Sequence, residues 1–494
     1  MTDPVSAAHE ELLGRGHPAW MDFPRSSPAL LPALSRLAAQ RADLDDVVLV
    51  GMGGSSLAAE VIASAAGRPL TVLDTTDCGQ VEAVLERDPE RMLVILSSKS
   101  GETIETNSLC RVMIQHLAER LPSDEAARHC VAVTDPGSLL HRIALDRGYA
   151  AVLADPSVGG RYSALGPFGL VAGALLGTDV DGLLADSAVI RDELERADNP
   201  GRELGSVLAH SALAGRGALV LDVPDPRLSG LGDWIEQLVA ESTGKDGRGI
   251  LPVVGGCDPD GSIRVLLTAG GGIPAVEGVG TLGIHRPLGA QFLLWEYATV
   301  IASRILGVNP FDQPNVEESK ANTATLLGEG KVDEKPGFTE DAIEVYTAGA
   351  DLRARTVAGV LSELTERIPA QGYLSVMSYL DRERDAKVAE IGDGLRAQTH
   401  WPVTFGWGPR LLHSVGQYHK GGPSGGVFCQ ITGAVKADIE IPGRPFTLAG
   451  LQAAQAGGDR RALLSRGRTV LRLHLRDRES GIEQLVEAVA GARP

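Results

Sequence analysis

The stretch Val47-Val-Leu-Val-Gly51-Met-Gly53-Gly54-Ser55-Ser56-Leu57 decides the fold class of this 494-residue chain. Four consecutive apolar residues run into a glycine-rich turn, and two serines then open a helical pattern. An unbroken apolar run implies a strand buried on both faces, which is the condition of a parallel sheet sandwiched between helices. Moving outward, Leu70–Leu73, Leu93–Leu96 and Val131–Val133 repeat the same run, separated by helical patterns such as Leu57–Ala66 and Ile104–Leu117. The order is βαβαβα, so the chain reads as α/β. Each run ends in Gly, Ser, Thr or Asp, as expected where the carboxyl edge of a sheet holds a ligand.

A second set begins at Ala218–Leu221 and continues through Ile250–Val254 and Val265–Thr268, with a helix at roughly Leu231–Ala240. Two sheets of related architecture are expected, joined near residues 185–215. The reading divides the chain into a helical lead-in over 1–45, a first α/β domain over 46–205, and a second over 206–494 that includes a C-terminal extension. Gly328–Gly337 reads as an exposed linker before a helical run from Glu340 to Arg367, and Tyr373–Tyr379, Val427–Ile431 and Val470–Leu475 are strand-like.

Composition narrows the function classes. With 46 basic against 64 acidic residues the net charge is −18, a field that repels nucleic-acid phosphates and anionic lipid, so neither is expected as a partner. A local cationic pocket can still capture a small anion. The longest apolar run, roughly 165–177, is short of the ~20 residues of a membrane span. The first residues lack the pattern of a secretory signal. Five scattered cysteines without a C-x-x-C pair indicate neither a disulfide framework nor a zinc site, and the expected location is the cytoplasm. No metal-ligand spacing is present.

Two loops carry anion-binding character. Backbone N–H groups at the Gly51–Ser55 turn face any ligand that the glycines allow close. A dinucleotide reading is weak, because Ser56 stands where the third glycine of the fingerprint belongs, although Asp74 lies about 20 residues on. In the second loop, Ser97-Ser98-Lys99-Ser100-Gly101-Glu102-Thr103-Ile104-Glu105-Thr106 gathers hydroxyls and backbone donors where a helix opens, which suits a phosphate monoester. Ser98, Ser100 and Thr103 are expected to converge on one anion; an ordinary helix cap explains only one such hydroxyl. A P-loop reading of Gly244-Lys245 fails, since Asp246 replaces the required Ser or Thr.

These two loops, with Gly159-Gly-Arg161-Tyr-Ser163, Glu241-Ser-Thr-Gly-Lys245 and Asn309-Pro-Phe-Asp-Gln313-Pro-Asn-Val-Glu-Glu-Ser-Lys320, resemble the motifs of the phosphoglucose isomerase family, and in the same order. The resemblance is closest to the isomerase half of bacterial transaldolase–phosphoglucose isomerase fusions, also through Gly408-Pro-Arg-Leu-Leu-His413-Ser-Val-Gly-Gln417-Tyr-His-Lys420; no transaldolase half is expected within these 494 residues. It implies two SIS-type, doubly wound, flavodoxin-like parallel-sheet domains with helical N-terminal and C-terminal extensions. It also implies reversible isomerisation of D-glucose 6-phosphate and D-fructose 6-phosphate through a cis-enediol, in glycolysis and gluconeogenesis, with no cofactor. The alternatives are an isomerase of a related phosphosugar such as mannose 6-phosphate and a non-catalytic SIS-type phosphosugar-binding protein.

The chemistry gives each motif a role. One carboxylate can carry a proton between adjacent carbons, and Glu241 is the expected base. Arg161 is placed to stabilise the enediolate, because a guanidinium holds its charge without giving up its proton. By resemblance, Gly54, Ser55, Ser98, Lys99, Ser100, Thr103, Glu105 and Gln313 bind the phosphosugar, and Lys320 opens the ring together with a histidine. Ordinary members carry that histidine between the Glu and Lys motifs, where only His285 stands, without the usual glycine-glutamine context. His413 has the context but follows Lys320, and it is favoured over His285. The family often supplies this histidine from a neighbouring subunit, so the resemblance implies a homodimer.

Overall fold

The structure is a computed structural model, and it describes residues 4–14, 16–255, 262–270, 281–329, 334–347 and 350–491. The first sheet comprises β1 (Asp46–Val50), β2 (Thr71–Leu73), β3 (Met92–Ser97), β4 (Cys130–Thr134) and β5 (Ala150–Leu153), all parallel, in the order β2-β1-β3-β4-β5. The unbroken apolar runs have a direct cause. Val47, Leu49, Leu93 and Ile95 point into one core and Val48, Val50, Val94 and Leu96 into another, so neither face can be polar.

The second sheet, β6 (Ala218–Asp222), β7 (Leu251–Val254), β8 (Ile263–Thr268) and β9 (Thr281–His285), is also parallel, in the order β7-β6-β8-β9. Both sheets therefore start at an interior strand, step outward once and then reverse, which is the flavodoxin-like order with its ligand crevice at the switch point. The lead-in forms helices at Pro4–Leu13 and Leu31–Ala39.

The C-terminal region is more than a helical extension. It builds a third sheet of β10 (Phe338–Glu340), β11 (Ile343–Tyr346), β12 (Tyr373–Tyr379), β13 (Val403–Trp407), β14 (Gly426–Gly433) and β15 (Thr469–Leu475), in the order β10-β11-β15-β14-β12-β13. The helical run expected from Glu340 begins instead as the antiparallel hairpin β10–β11, and its helix occupies only Val357–Glu366. Alternation decided this: Ile343 and Val345 are fully buried on either side of Glu344, a period of two that a helix would scatter. Of the expected linker, residues 330–333 lie outside the described set. The helix Leu448–Ser465 of this region packs along the helix Val316–Glu329, and the turn Arg410–His413 meets the Gly53–Ser55 turn at the carboxyl end of β1, so the third unit packs against both of the first two.

Candidate active site

Glu241 and Arg161 meet at the centre. Glu241 lies in the last turn of the helix Leu231–Thr243, and its Oε1 is 3.1 Å from Arg161 Nη1. The Arg161 side chain is 4% exposed and that of Glu241 12%. Four further bonds fix the guanidinium: Nε donates to Ser242 Oγ at 2.9 Å, Nη1 to Gln313 Oε1 at 3.1 Å, and Nη2 to the carbonyls of Pro310 and Asp312 at 2.6 and 3.0 Å. With its donors committed to the protein in this way, the guanidinium is a fixed positive charge that cannot swing away.

His413 joins from the third unit. Its Nε2 is 3.0 Å from Glu105 Oε1, and the same oxygen accepts from Gln455 Nε2 at 2.6 Å. Gln455 in turn accepts from Thr76 Oγ1 at 2.8 Å. Burial raises the Glu105 carboxyl, but attraction to His413 and the bonds from His413 and Gln455 outweigh it, so its pKa lies below the ordinary 4.5. Gln237, one helical turn before Glu241, bridges the two halves: its Nε2 donates to Glu241 Oε2 at 3.1 Å and to the His413 carbonyl at 2.8 Å. His285 has no part in this network. It is exposed on β9 and bonds Thr268 Oγ1 at 2.7 Å.

The glycine turns allow the loops to touch. Gly53 has φ +54°, and a Cβ there would stand 2.7 Å from the His413 carbonyl oxygen; a Cβ on Gly54 would stand 2.2 Å from the Gly160 carbonyl carbon. Ser55 is half-buried beside them. In the second loop Ser98 Oγ accepts from the Gly101 N–H at 3.0 Å and Ser100 Oγ from the Glu102 N–H at 3.1 Å, so each hydroxyl keeps its own proton to donate. Thr103 opens the helix Ile104–Arg120 without spending its side chain on the cap. Lys99 points elsewhere: its Nζ donates to the carbonyls of Pro156 and Val158, both at 2.7 Å, and tethers the segment that leads to Arg161.

Lys245 and Gln417 brace the remaining loop. Lys245, 3% exposed, holds Asp312 at 2.9 Å and the Asn309 carbonyl. Burial, reinforced by the Arg161 charge, pushes its ammonium down to about 8 despite Asp312. Gln417 donates to the Gly244 carbonyl and to Asn315, while Asn315 N–H donates back. Lys320 is exposed on the following helix. Among the described residues no cluster of His, Cys, Asp or Glu could hold a metal ion, and no helix is long and apolar enough to cross a membrane.

Comparison with known proteins matches this arrangement to one family. The phosphoglucose isomerase family model matches residues 37–246, which include both anion loops, Arg161 and Glu241. A glucose-6-phosphate isomerase of Rubrobacter xylanophilus is 31% identical over 396 residues, spanning 65% of this chain and 90% of that one. The chain belongs to the phosphoglucose isomerase family. As a member it is an aldose–ketose isomerase of phosphosugars. A second relative, the glucose-6-phosphate isomerase of Symbiobacterium thermophilum, is 29% identical over 418 residues, 67% of this chain and 90% of that one. A Thermus thermophilus protein described as hypothetical superposes with a TM-score of 0.59 at 27% identity, over 65% of this chain and 94% of that one. The glucose-6-phosphate isomerase of Chlamydia trachomatis shares the fold at a TM-score of 0.53, with 20% identity over 65% of this chain and 78% of that one. The family match ends before Gln313, Lys320 and His413.

Two positioning residues carried no sequence signal. Gln455 is one of two glutamines in an alanine-rich helix, with no motif around it, and Gln237 becomes visible only as the i−4 neighbour of Glu241 on one helix face.

Proposed function

We propose that the chain interconverts D-glucose 6-phosphate and D-fructose 6-phosphate through a cis-enediol. The carrying observation is the Glu241–Arg161 pair at 3.1 Å: a carboxylate able to move a proton between C1 and C2, beside a guanidinium locked in place to meet the developing oxyanion. The phosphate is held by Ser98, Ser100, Thr103 and the first N–H groups of the helix they open. Ser55, Gly54 and Gln313 border the sugar. His413, oriented by Glu105, exchanges the proton of the ring oxygen during opening, and Lys320, exposed on the helix Val316–Glu329, is assigned the partner role by resemblance. Within one chain His413 already meets Glu105, and Gln237 ties it to Glu241. The phosphate and proton-shuttle groups do not by themselves select the C2 configuration, so mannose 6-phosphate belongs in the same assay.

The test is turnover of fructose 6-phosphate in a coupled assay with purified protein, beside Glu241→Gln. Turnover in the wild type and its loss in a folded variant support the reading. A folded wild type that binds the phosphosugar without converting it overturns it.

A further inference from the structure

A cavity of about 270 Å³ lies beside the helix Leu231–Thr243, which also carries Glu241. The helix Leu231–Thr243 and β7 form one wall; β13, the helix Glu390–Arg396 and the turn Arg410–His413 form the other. Asp233 and Glu236, one turn apart on the first wall, both line it. The two guanidinium groups present are already committed. Arg410 pairs with Glu60 at 2.6 Å and Asp74 at 2.7 Å and is 3.7 Å from Asp233, while Arg396 pairs with Asp393 and donates to the Val403 carbonyl. Glu236 makes no hydrogen bond or ion pair among the described residues. The opposite wall carries Phe405 and Trp407, ring centroids 5.1 Å apart, and Thr404, which is 5% exposed and whose hydroxyl has no partner among the described residues. Thr404 and Gly406 present one face of β13 and Phe405 and Trp407 the other, and because β13 is the edge strand of its sheet the cavity takes its lining from both faces around that edge.

We propose that this cavity binds a small organic ammonium compound, a primary amine no larger than a hexose, with its N–H donors on Asp233, Glu236 and Thr404 and its carbon frame against Trp407. An anion would face two carboxyl groups whose neighbouring guanidinium groups are already spent, whereas a cation draws on both carboxyls and lies favourably beside an aromatic wall. Burial and the Asp233 charge push the Glu236 carboxyl up to about 8, against the pull of Arg410. Asp393 and Arg396 face it from the other wall as a closed pair. An entering ammonium group therefore expels the Glu236 proton. The position couples to catalysis: the helix that carries Asp233 and Glu236 also carries Gln237 and Glu241, and the lining residues Leu411 and Ser414 flank the His413 position. Any effect on turnover rests on the isomerase reading; the binding itself does not.

Isothermal titration with putrescine and glucosamine as ammonium probes, and glucose as the neutral control, tests the site near neutral pH in two buffers of different ionisation enthalpy. The expected result is binding in the millimolar range or tighter for the amines, none for glucose, and a buffer-dependent enthalpy that reports proton release. Glu236→Gln should weaken amine binding about tenfold and abolish the proton release. Equal binding of glucose, no amine binding by folded protein, or proton release that persists in Glu236→Gln overturns the proposal whether or not the protein isomerises phosphosugars. Trp407→Ala supplies a second variant should Glu236→Gln fold poorly, with the same loss of affinity expected.

Discussion

His413 Nε2 lies 3.0 Å from Glu105 Oε1 across 308 positions of chain, one residue in the third unit and the other in the first. Their side chains are 17% and 7% exposed, so the pair is shielded while His413 still reaches the cleft. A histidine bonded to a carboxylate through Nε2 keeps Nδ1 for another partner, and its tautomer is set by that carboxylate.

Removing the Glu105 charge tests that relationship. Glu105→Gln should lower kcat by about 10- to 100-fold, because the carboxylate that orients a working imidazole is worth that order. It should also change acid stability. Glu105 is held below its unfolded value of 4.5, so its contribution is present above that value and is lost as pH falls through the lower folded pKa. Thermal melts of wild type and variant should differ most above pH 4.5 and converge only as pH falls through the lower folded pKa; parallel curves would refute the assignment.

The proposed role of Glu241 as proton shuttle gives a sharper expectation. In Glu241→Gln, kcat for fructose 6-phosphate should fall by on the order of 10²–10⁴, the usual worth of a general base, with KM within a few-fold. Arg161 keeps Ser242, Gln313 and the carbonyls of Pro310 and Asp312, so the site should stay assembled. A large rise in KM with kcat retained would assign Glu241 to binding rather than chemistry.

Lys245 links pH to the loop that holds Arg161. Its folded pKa of about 8 lies below the unfolded 10.5, so the folded state sheds this proton first. Between those values the unfolded chain binds more protons, and this group's contribution to stability rises with pH. Activity moves the other way, since a neutral amine holds Asp312 less firmly and loosens the loop of Pro310, Asp312 and Gln313. The pH profile of kcat/KM should fall with an apparent pKa of about 8, and Lys245→Arg, which stays charged, should shift that fall to higher pH. An unchanged alkaline limb in Lys245→Arg would show that another group sets it.

How far the sequence discloses this site depends on what each residue is pressed against. The β1 and β3 runs were legible because two cores claim alternate residues and leave no polar position to blur the pattern. The hairpin at Phe338–Tyr346 was not, because two short strands beside Asp341, at φ +48°, leave too few alternations to outweigh the helical stretch that follows. Glu241 and Arg161 stand in motifs whose residues act locally. The glycine-glutamine context favours His413 over His285, but that His413 meets Glu105 could not be read from spacing, since it depends on the third sheet folding back over the first, a long-range packing event with no local signature. Lys99 looked like an anion ligand by position, yet the Pro156 and Val158 carbonyls lie within its reach and take its donors.

The contact between Gly54 and Gly160 gives the most discriminating backbone test. A Cβ on Gly54 would lie 2.2 Å from the Gly160 carbonyl carbon and 2.5 Å from its oxygen, and Arg161 next door is anchored by five partners, so neither loop can retreat without disturbing the Arg161 guanidinium. Gly54→Ala should therefore cost about 1–3 kcal/mol of stability, the usual penalty for overpacking, and reduce turnover in the fraction that folds. Gly159 is the control. It has φ −69° and open space around its missing Cβ, so Gly159→Ala should leave the melting temperature unchanged or slightly raised, with activity retained. If both variants behaved alike, the loss would reflect a general need for flexible glycines in these turns; a loss confined to Gly54→Ala would show that close approach of the two loops is what holds Arg161 against Glu241.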